Sequence, residues 1–132
     1  MANQLVAVSD IETDTGLTLP VETFHEDSFY GSATSRFILP DDIGYLRAEL
    51  RGKTMEYYIA MVKVAEEYRK QGIGRELVKL AVEEALTSEA RTITATAVSP
   101  QSAAIFRRVF GIESLSNKSE RPNSTFLKHY LK

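Results

Sequence analysis

The sequence predicts an α/β domain built on a mixed, mostly antiparallel central sheet flanked by helices. Three observations predict it. Segments with the two-residue period of half-buried strands precede one long segment of helical period 3.6, and strand-like and helix-like segments alternate after it. The 132 residues suffice for one sizeable core and not for two, so residues 1–132 are expected to form a single domain.

Taken in order, residues 5–8 (Leu5, Val6, Ala7, Val8) suggest a short strand, and the rest of 1–34 is poorly defined. Residues 36–39 read as a strand, with Pro40, Asp41 and Asp42 as the turn after it. In 43–51, Tyr45, Arg47 and Glu49 alternate with Leu46, Ala48 and Leu50, the pattern of a strand with one buried face, and Gly52-Lys53 turns the chain. Residues 55–64 are almost continuously apolar up to Val62, which predicts a central strand covered on both faces. From 72 to 88 the period becomes helical: Ile73, Leu77, Val78, Leu80, Ala81 and Ala85 share a broad face, and Arg75, Glu76, Lys79 and Glu83 lie opposite. Alternating threonines make 92–98 a strand. Ser99 as N-cap and Pro100 at the first helical position open a short helix that runs to Phe110, with Gly111 as its stop. Strands at 112–115 and 124–131, joined by a polar loop at 116–123, close the chain.

Composition removes several classes of function. A formal net charge of -2 gives no global attraction to nucleic acid or anionic lipid, so neither is an expected partner. The absence of cysteine removes disulfides, Cys-based zinc sites and thiol nucleophiles together, and no metal is expected. No apolar run reaches the ~20 residues of a membrane helix, and residues 1–10 lack a basic region followed by an apolar stretch, which leaves the cytoplasm as the default location.

The segment between the 55–64 strand and the long helix carries the chemistry. Unpaired backbone N–H groups at a helix start point outward at the positive end of the helix dipole and suit a phosphate. Glycines at 72 and 74 allow close approach, and Arg69, Lys70 and Arg75 place fixed positive charge where a helix start ordinarily prefers acidic residues. A dinucleotide fingerprint would need a third glycine. A P-loop ending at Gly52-Lys53-Thr54 would need glycine where Arg47 stands, and would lead into a helix rather than a strand. A solvated tight turn is the plain alternative, and the cationic context favours anion binding over it.

The run from Val64 to Leu77 (VAEEYRKQGIGREL), with the full R-x-x-G-x-G core at Arg69, Gly72 and Gly74, resembles the acetyl-coenzyme A signature of the GCN5-related N-acetyltransferases. The likeness extends by position and order to the preceding hairpin, the 92–98 strand, the helix ending at Phe110-Gly111 and the last strand. It implies that pantetheine pairs with the backbone of Val62, Lys63 and Val64, and that amides of Gln71, Gly72, Ile73, Gly74 and Arg75 hold the pyrophosphate. Arg69 and Lys70 would lie beside that site, with Phe106 and Arg107 on the later helix. Acetyl-CoA would be the co-substrate, and an amine-bearing small molecule or protein the acceptor.

Two departures from the family matter. The tyrosine that protonates the leaving thiolate in many relatives falls on Arg107 here, and the accompanying asparagine falls on Pro100; arginine is a poor proton donor, though it can stabilise a thiolate. Some relatives place a glutamate base midway along the strand, and that position is Tyr58, with Glu56 two residues earlier on the same face. Glu56 is the preferred base, and a solvent-facing strand-end charge is its alternative. The second departure is a shortened N-terminal helical region. Relatives place two helices between their first two strands, and only 26 residues separate Val8 from Ser35. An open acceptor cleft, or a homodimer that completes its wall, follows as an expectation. The rival to an N-acetyltransferase is a catalytically silent module of the same fold that binds coenzyme A or a protein partner.

Overall fold

The computed structural model describes residues 4–27, 32–97, 104–106, 108–109, 115–121 and 124–130. Within them lie strands β1 (Gln4–Glu12), β2 (Thr18–Asp27), β3 (Ser32–Ile38), β4 (Gly44–Arg51), β5 (Glu56–Val64), β6 (Thr92–Ala97), β7 (Leu115–Arg121) and β8 (Ser124–Tyr130), together with helix α1 (Ile73–Thr87). The strands form one sheet in the order β1-β2-β3-β4-β5-β6-β8-β7. Every neighbouring pair is antiparallel except β5 and β6. A parallel pair needs a crossover connection, and α1 supplies it.

The core lies between α1 and one face of the sheet. Leu46 and Ala48 of β4, Tyr57 and Ile59 of β5, and Ile93 and Ala95 of β6 meet the buried stripe Ile73, Leu77, Val78, Ala81 and Ala85 of α1. The helical residues 104–106 and 108–109 pack beside α1 through Ile105, Phe106 and Val109. On β4 the alternate residues Tyr45, Arg47, Glu49 and Arg51 point away from this core and keep part of their surface in water.

β5 is covered on one face, not two. Its apolar run looked continuous because the phase of alternation changes partway along it. Arg47 pairs with Met61 and Ala48 with Ile59, so Ala60 is an extra residue in a β-bulge. Tyr57 and Ile59 face the core before the bulge, and Val62 and Val64 face it afterwards, while Met61 and Lys63 are exposed. A bulge concatenates two period-two patterns into what reads as an unbroken hydrophobic string.

Two further segments differ from expectation. The undefined stretch before Ser35 contains β2, a full strand paired to β1 and β3, and among the described residues no helix stands between β1 and β3. Pro20 obscured it, because proline argues against a central strand. Here Pro20 pairs with Asp10 of β1, while pairing to β3 begins only at Glu22, so no ladder bond on the β3 side is lost. The polar loop expected at 116–123 is largely β7, a strand whose sequence LSNKSER lacks the branched and aromatic residues that normally signal one. The expected start of the short helix at Ser99 and Pro100, its stop at Phe110-Gly111, and residues 112–114 lie outside the described residues.

Candidate functional site

The pairing of β5 with β6 runs from Glu56↔Thr92 to Ile59↔Ala95 and ends at the bulge. Residues 60–64 therefore keep β4 as a strand neighbour and have none on the β6 side among the described residues. The backbone of Val62, Lys63 and Val64 sits along this gap, with the side chains of Val62 and Val64 packed on the core and that of Lys63 exposed. An extended ligand carrying amide groups can pair with such an edge as a strand would.

At the end of β5 a short 3-10 turn (Glu66–Tyr68) leads to the glycine-containing turn at 69–74. Arg69 Nε donates to the Val64 carbonyl at 3.1 Å, tying the turn back to the strand. Lys70 adopts φ 64°, a left-handed conformation uncommon outside glycine, and Gly72 follows at φ 82° as the N-cap of α1. Among the described residues no side chain caps α1, and its only acidic first-turn residue is Glu76. The first-turn amides of Ile73, Gly74 and Arg75 are thus left for an external acceptor. The Ile73 side chain is buried in the core, so only its backbone can serve a ligand.

The two glycines have different physical reasons. A Cβ on Gly74 would stand 2.9 Å from Ile105 Cδ1, so this glycine lets residues 104–106 approach α1. A Cβ on Gly72 would stand 2.5 Å from Arg75 Nη2 and 2.9 Å from both carboxylate oxygens of Asp14. Arg75 folds back over Gly72, where its Nη2 donates to Asp14 Oδ1 at 2.6 Å, and its Nε lies 3.4 Å from Glu76 Oε2. The hydrogen bond that it donates to Asp14 is the chief reason the Arg75 guanidinium is held above its already high ordinary pKa. Asp14 comes from the β1–β2 turn, whose backbone N–H donates to Gln71 O at 2.7 Å. No sequence signal pointed to Asp14, because its partner lies 61 residues away.

Glu56 and Tyr58 lie on the sheet face opposite α1. Glu56 Oε2 accepts from the buried Thr94 hydroxyl at 2.6 Å, and its Oε1 accepts from Arg51 Nη1 at 3.2 Å. The Arg51 guanidinium lies 4.6 Å from the centroid of the Tyr58 ring. Glu56, Tyr58, Arg51 and Thr94 thus form one polar group alongside the paired segment of β5, with Glu56 and Arg51 at the end of that pairing away from the bulge where β5 and β6 part. Neighbouring Tyr57 points the other way into the core, where its hydroxyl donates to Glu84 Oε1 at 2.8 Å, and Glu84 Oε2 lies 2.7 Å from His25 Nε2. Burial, and next the Glu84 charge, push the Tyr57 hydroxyl pKa well above its ordinary value. His25, which has no legible partner in the sequence, thus belongs to a network joining β2, α1 and β5.

Of the two later-helix residues, Phe106 is buried in the core, and Arg107 lies outside the described residues. The structure adds a groove of about 300 Å³ between α1 and residues 108–109, lined by Arg75, Lys79, Val82, Glu83, Arg108 and Val109. Of its cations, Lys79 was not singled out as a binding residue from sequence, since it does not lie in the turn motif. Among the described residues there is no His/Cys/Asp/Glu cluster able to hold a metal ion, and no helix is long and apolar enough to cross a membrane.

Comparison with known proteins places this geometry in context. The family model for the acetyltransferase (GNAT) family matches residues 6–112. No curated protein matches the sequence closely enough to count as a relative. Solved structures are similar in fold at low identity. The GNAT domain of S. lividans PAT has a TM-score of 0.68 at 12% identity, over 94% of this chain and 97% of that one. An acetyltransferase from Bacillus cereus gives 0.63 at 14%, over 77% and 76%. An acetyltransferase from Bacillus subtilis in complex with CoA gives 0.55 at 18%, over 76% and 78%.

Proposed function

The chain belongs to the acetyltransferase (GNAT) family, and from that premise we propose that it is an acyl-CoA-dependent N-acetyltransferase that transfers an acetyl group from acetyl-CoA to a primary amine by direct attack. The observation that carries this reading is the coincidence of two backbone surfaces: residues 60–64, which among the described residues have no strand on the β6 side, and the amides that open α1, which no described side chain caps. They lie in sequence order for pantetheine and pyrophosphate respectively. The residues present fit the group, since Arg69, Lys70 and Arg75 surround the turn and no acidic residue is part of it between Arg69 and Arg75.

In this reading acetyl-CoA supplies the activated thioester, and the chain positions and polarises it. A backbone N–H from Val62, Lys63 or Val64 stabilises negative charge developing on the carbonyl oxygen, a fixed donor that needs no reorganisation. The acceptor amine approaches on the face that carries Glu56 and Tyr58. Glu56 takes the proton that the amine loses. Both its oxygens are engaged, so accepting a proton requires release of Arg51 or reorientation of the Thr94 hydroxyl. Arg107 stands where many relatives carry the acid, and its charge serves the leaving thiolate electrostatically.

A second reading is favoured by one observation. A carboxylate already held by a hydroxyl and a guanidinium is what a structural strand-end pair looks like, and with arginine at the acid position this describes a silent module that binds coenzyme A or a protein partner. Titration calorimetry with acetyl-CoA and CoA, followed by transfer to amines and peptides, separates the two: binding with turnover supports the enzyme, and binding without turnover supports the module. Glu56→Gln should leave CoA affinity unchanged and lower kcat by roughly 10²- to 10⁴-fold. An unchanged kcat would remove Glu56 as the base.

A further inference from the structure

Resting on the reading of the turn as a CoA phosphate site, we propose that Asp14 is a residue that sets the affinity of that site, by holding Arg75 across Gly72 and competing with the cofactor's phosphates for it.

Four observations carry this. The β1–β2 turn is docked on the phosphate-type turn by the bond from Asp14 N to Gln71 O at 2.7 Å and by one from the Thr15 hydroxyl to Gln71 Oε1 at 3.2 Å. The turn itself is braced by Thr13 N to Leu17 O at 2.8 Å and Leu17 N to the Thr13 hydroxyl at 3.1 Å. Asp14 is therefore presented by a built element rather than by a wandering side chain. Next, its carboxylate lies beside the α carbon of Gly72, in the space that a glycine leaves open for an approaching anion. Finally, it engages Arg75, the motif cation that belongs to α1 itself, through a 2.6 Å charge-assisted hydrogen bond.

The consequence follows from charge. An anion entering the turn meets Asp14 as a like charge and finds Arg75 already neutralised, so it must displace the carboxylate to gain the guanidinium. Half of the Asp14 side chain is exposed, at 52%, which leaves it free to swing into water when displaced. The turn does not depend on the carboxylate, because the backbone bond to Gln71 and the internal bonds of the turn remain without it. Asp14 thus differs from a residue that merely staples β1 and β2 to α1, and also from one that positions Arg75 for the ligand, which would strengthen binding.

The test is calorimetric titration of wild-type protein, Asp14→Asn and Asp14→Asn/Arg75→Gln with CoA, with urea unfolding of each to confirm the fold. Asp14→Asn should bind CoA roughly three- to tenfold more tightly than wild type, and Arg75→Gln in that background should abolish the gain. Equal or weaker binding by a folded Asp14→Asn would overturn the proposal and make Asp14 a structural or positioning residue. A gain that persists in the double variant would overturn the route through Arg75. Binding by neither wild type nor Asp14→Asn, with both folded, would overturn the phosphate reading itself, a failure that differs visibly from the first two.

Discussion

Gly72 shows how one residue carries two arguments at once. From sequence it reads as the position where bulk would obstruct a phosphate, which suggests a substitution there as a test of cofactor binding. The structure makes that test ambiguous. At φ 82° any side chain is strained, and its first carbon would collide with Arg75 Nη2 before reaching a ligand. Gly72→Ala should therefore lower stability by about 1–2 kcal/mol from the left-handed backbone alone, read as a lower urea midpoint in the absence of any ligand. A stability equal to wild type would mean that the turn adopts another backbone conformation. Glu56 gives the converse case: its residue type and strand position were legible, but its partners Thr94 and Arg51 were not, because cross-strand contacts depend on register. Asp14 had no local signature at all.

At the scale of elements, the helix and the signature turn were the most legible parts, since an apolar stripe at period 3.6 and a glycine-rich cationic start are local features. The strands were legible where alternation was intact, as in β4. They were obscured where a bulge changed phase in β5, where Pro20 interrupted β2, and where β7 was polar. What joins these elements also lay beyond sequence, as the Tyr57, Glu84 and His25 network shows. It ties β5 to α1 and α1 to β2 through one carboxylate. The Tyr57 pKa is raised on folding, so the folded state retains its proton at pH values where the unfolded chain, near the ordinary value of 10.0, releases it. The sign is then fixed: this contribution is complete below about pH 10 and is lost as pH rises above it. Tyr57→Phe should remove that alkaline loss and, by leaving Glu84 short of a donor, cost about 1–3 kcal/mol at neutral pH. Urea midpoints measured from pH 7 to 11 for both proteins check it, and parallel curves would sink the assignment.

Across the whole molecule, the sheet is continuous in its first four strands and divided at its centre. Among the described residues β5 is paired on both sides only over 56–59 and then on one side only, so a stretch that buries Tyr57 and Ile59 adjoins one whose backbone has no strand on the β6 side. That arrangement suits a site built on backbone rather than on side chains: the strand is anchored firmly by Tyr57 and Ile59, each 1% exposed, and offers its next turn of pleat to a ligand. It also explains why the candidate turn was more legible in the sequence than the candidate strand edge. A phosphate turn announces itself by glycine and charge, whereas an open strand edge has no residue signature. Hydrogen exchange reports on this division directly. In the free protein, amides of 57–59 and 93–95 should exchange among the slowest, since global opening is needed to expose them. Those of 60–64 that do not bond to β4 should exchange much faster, and the same amides, together with 71–75, should slow when CoA is added. Protection appearing at the turn alone would leave the pyrophosphate assignment standing and remove the pantetheine from the β5 edge; protection at neither would place any bound CoA elsewhere on the molecule.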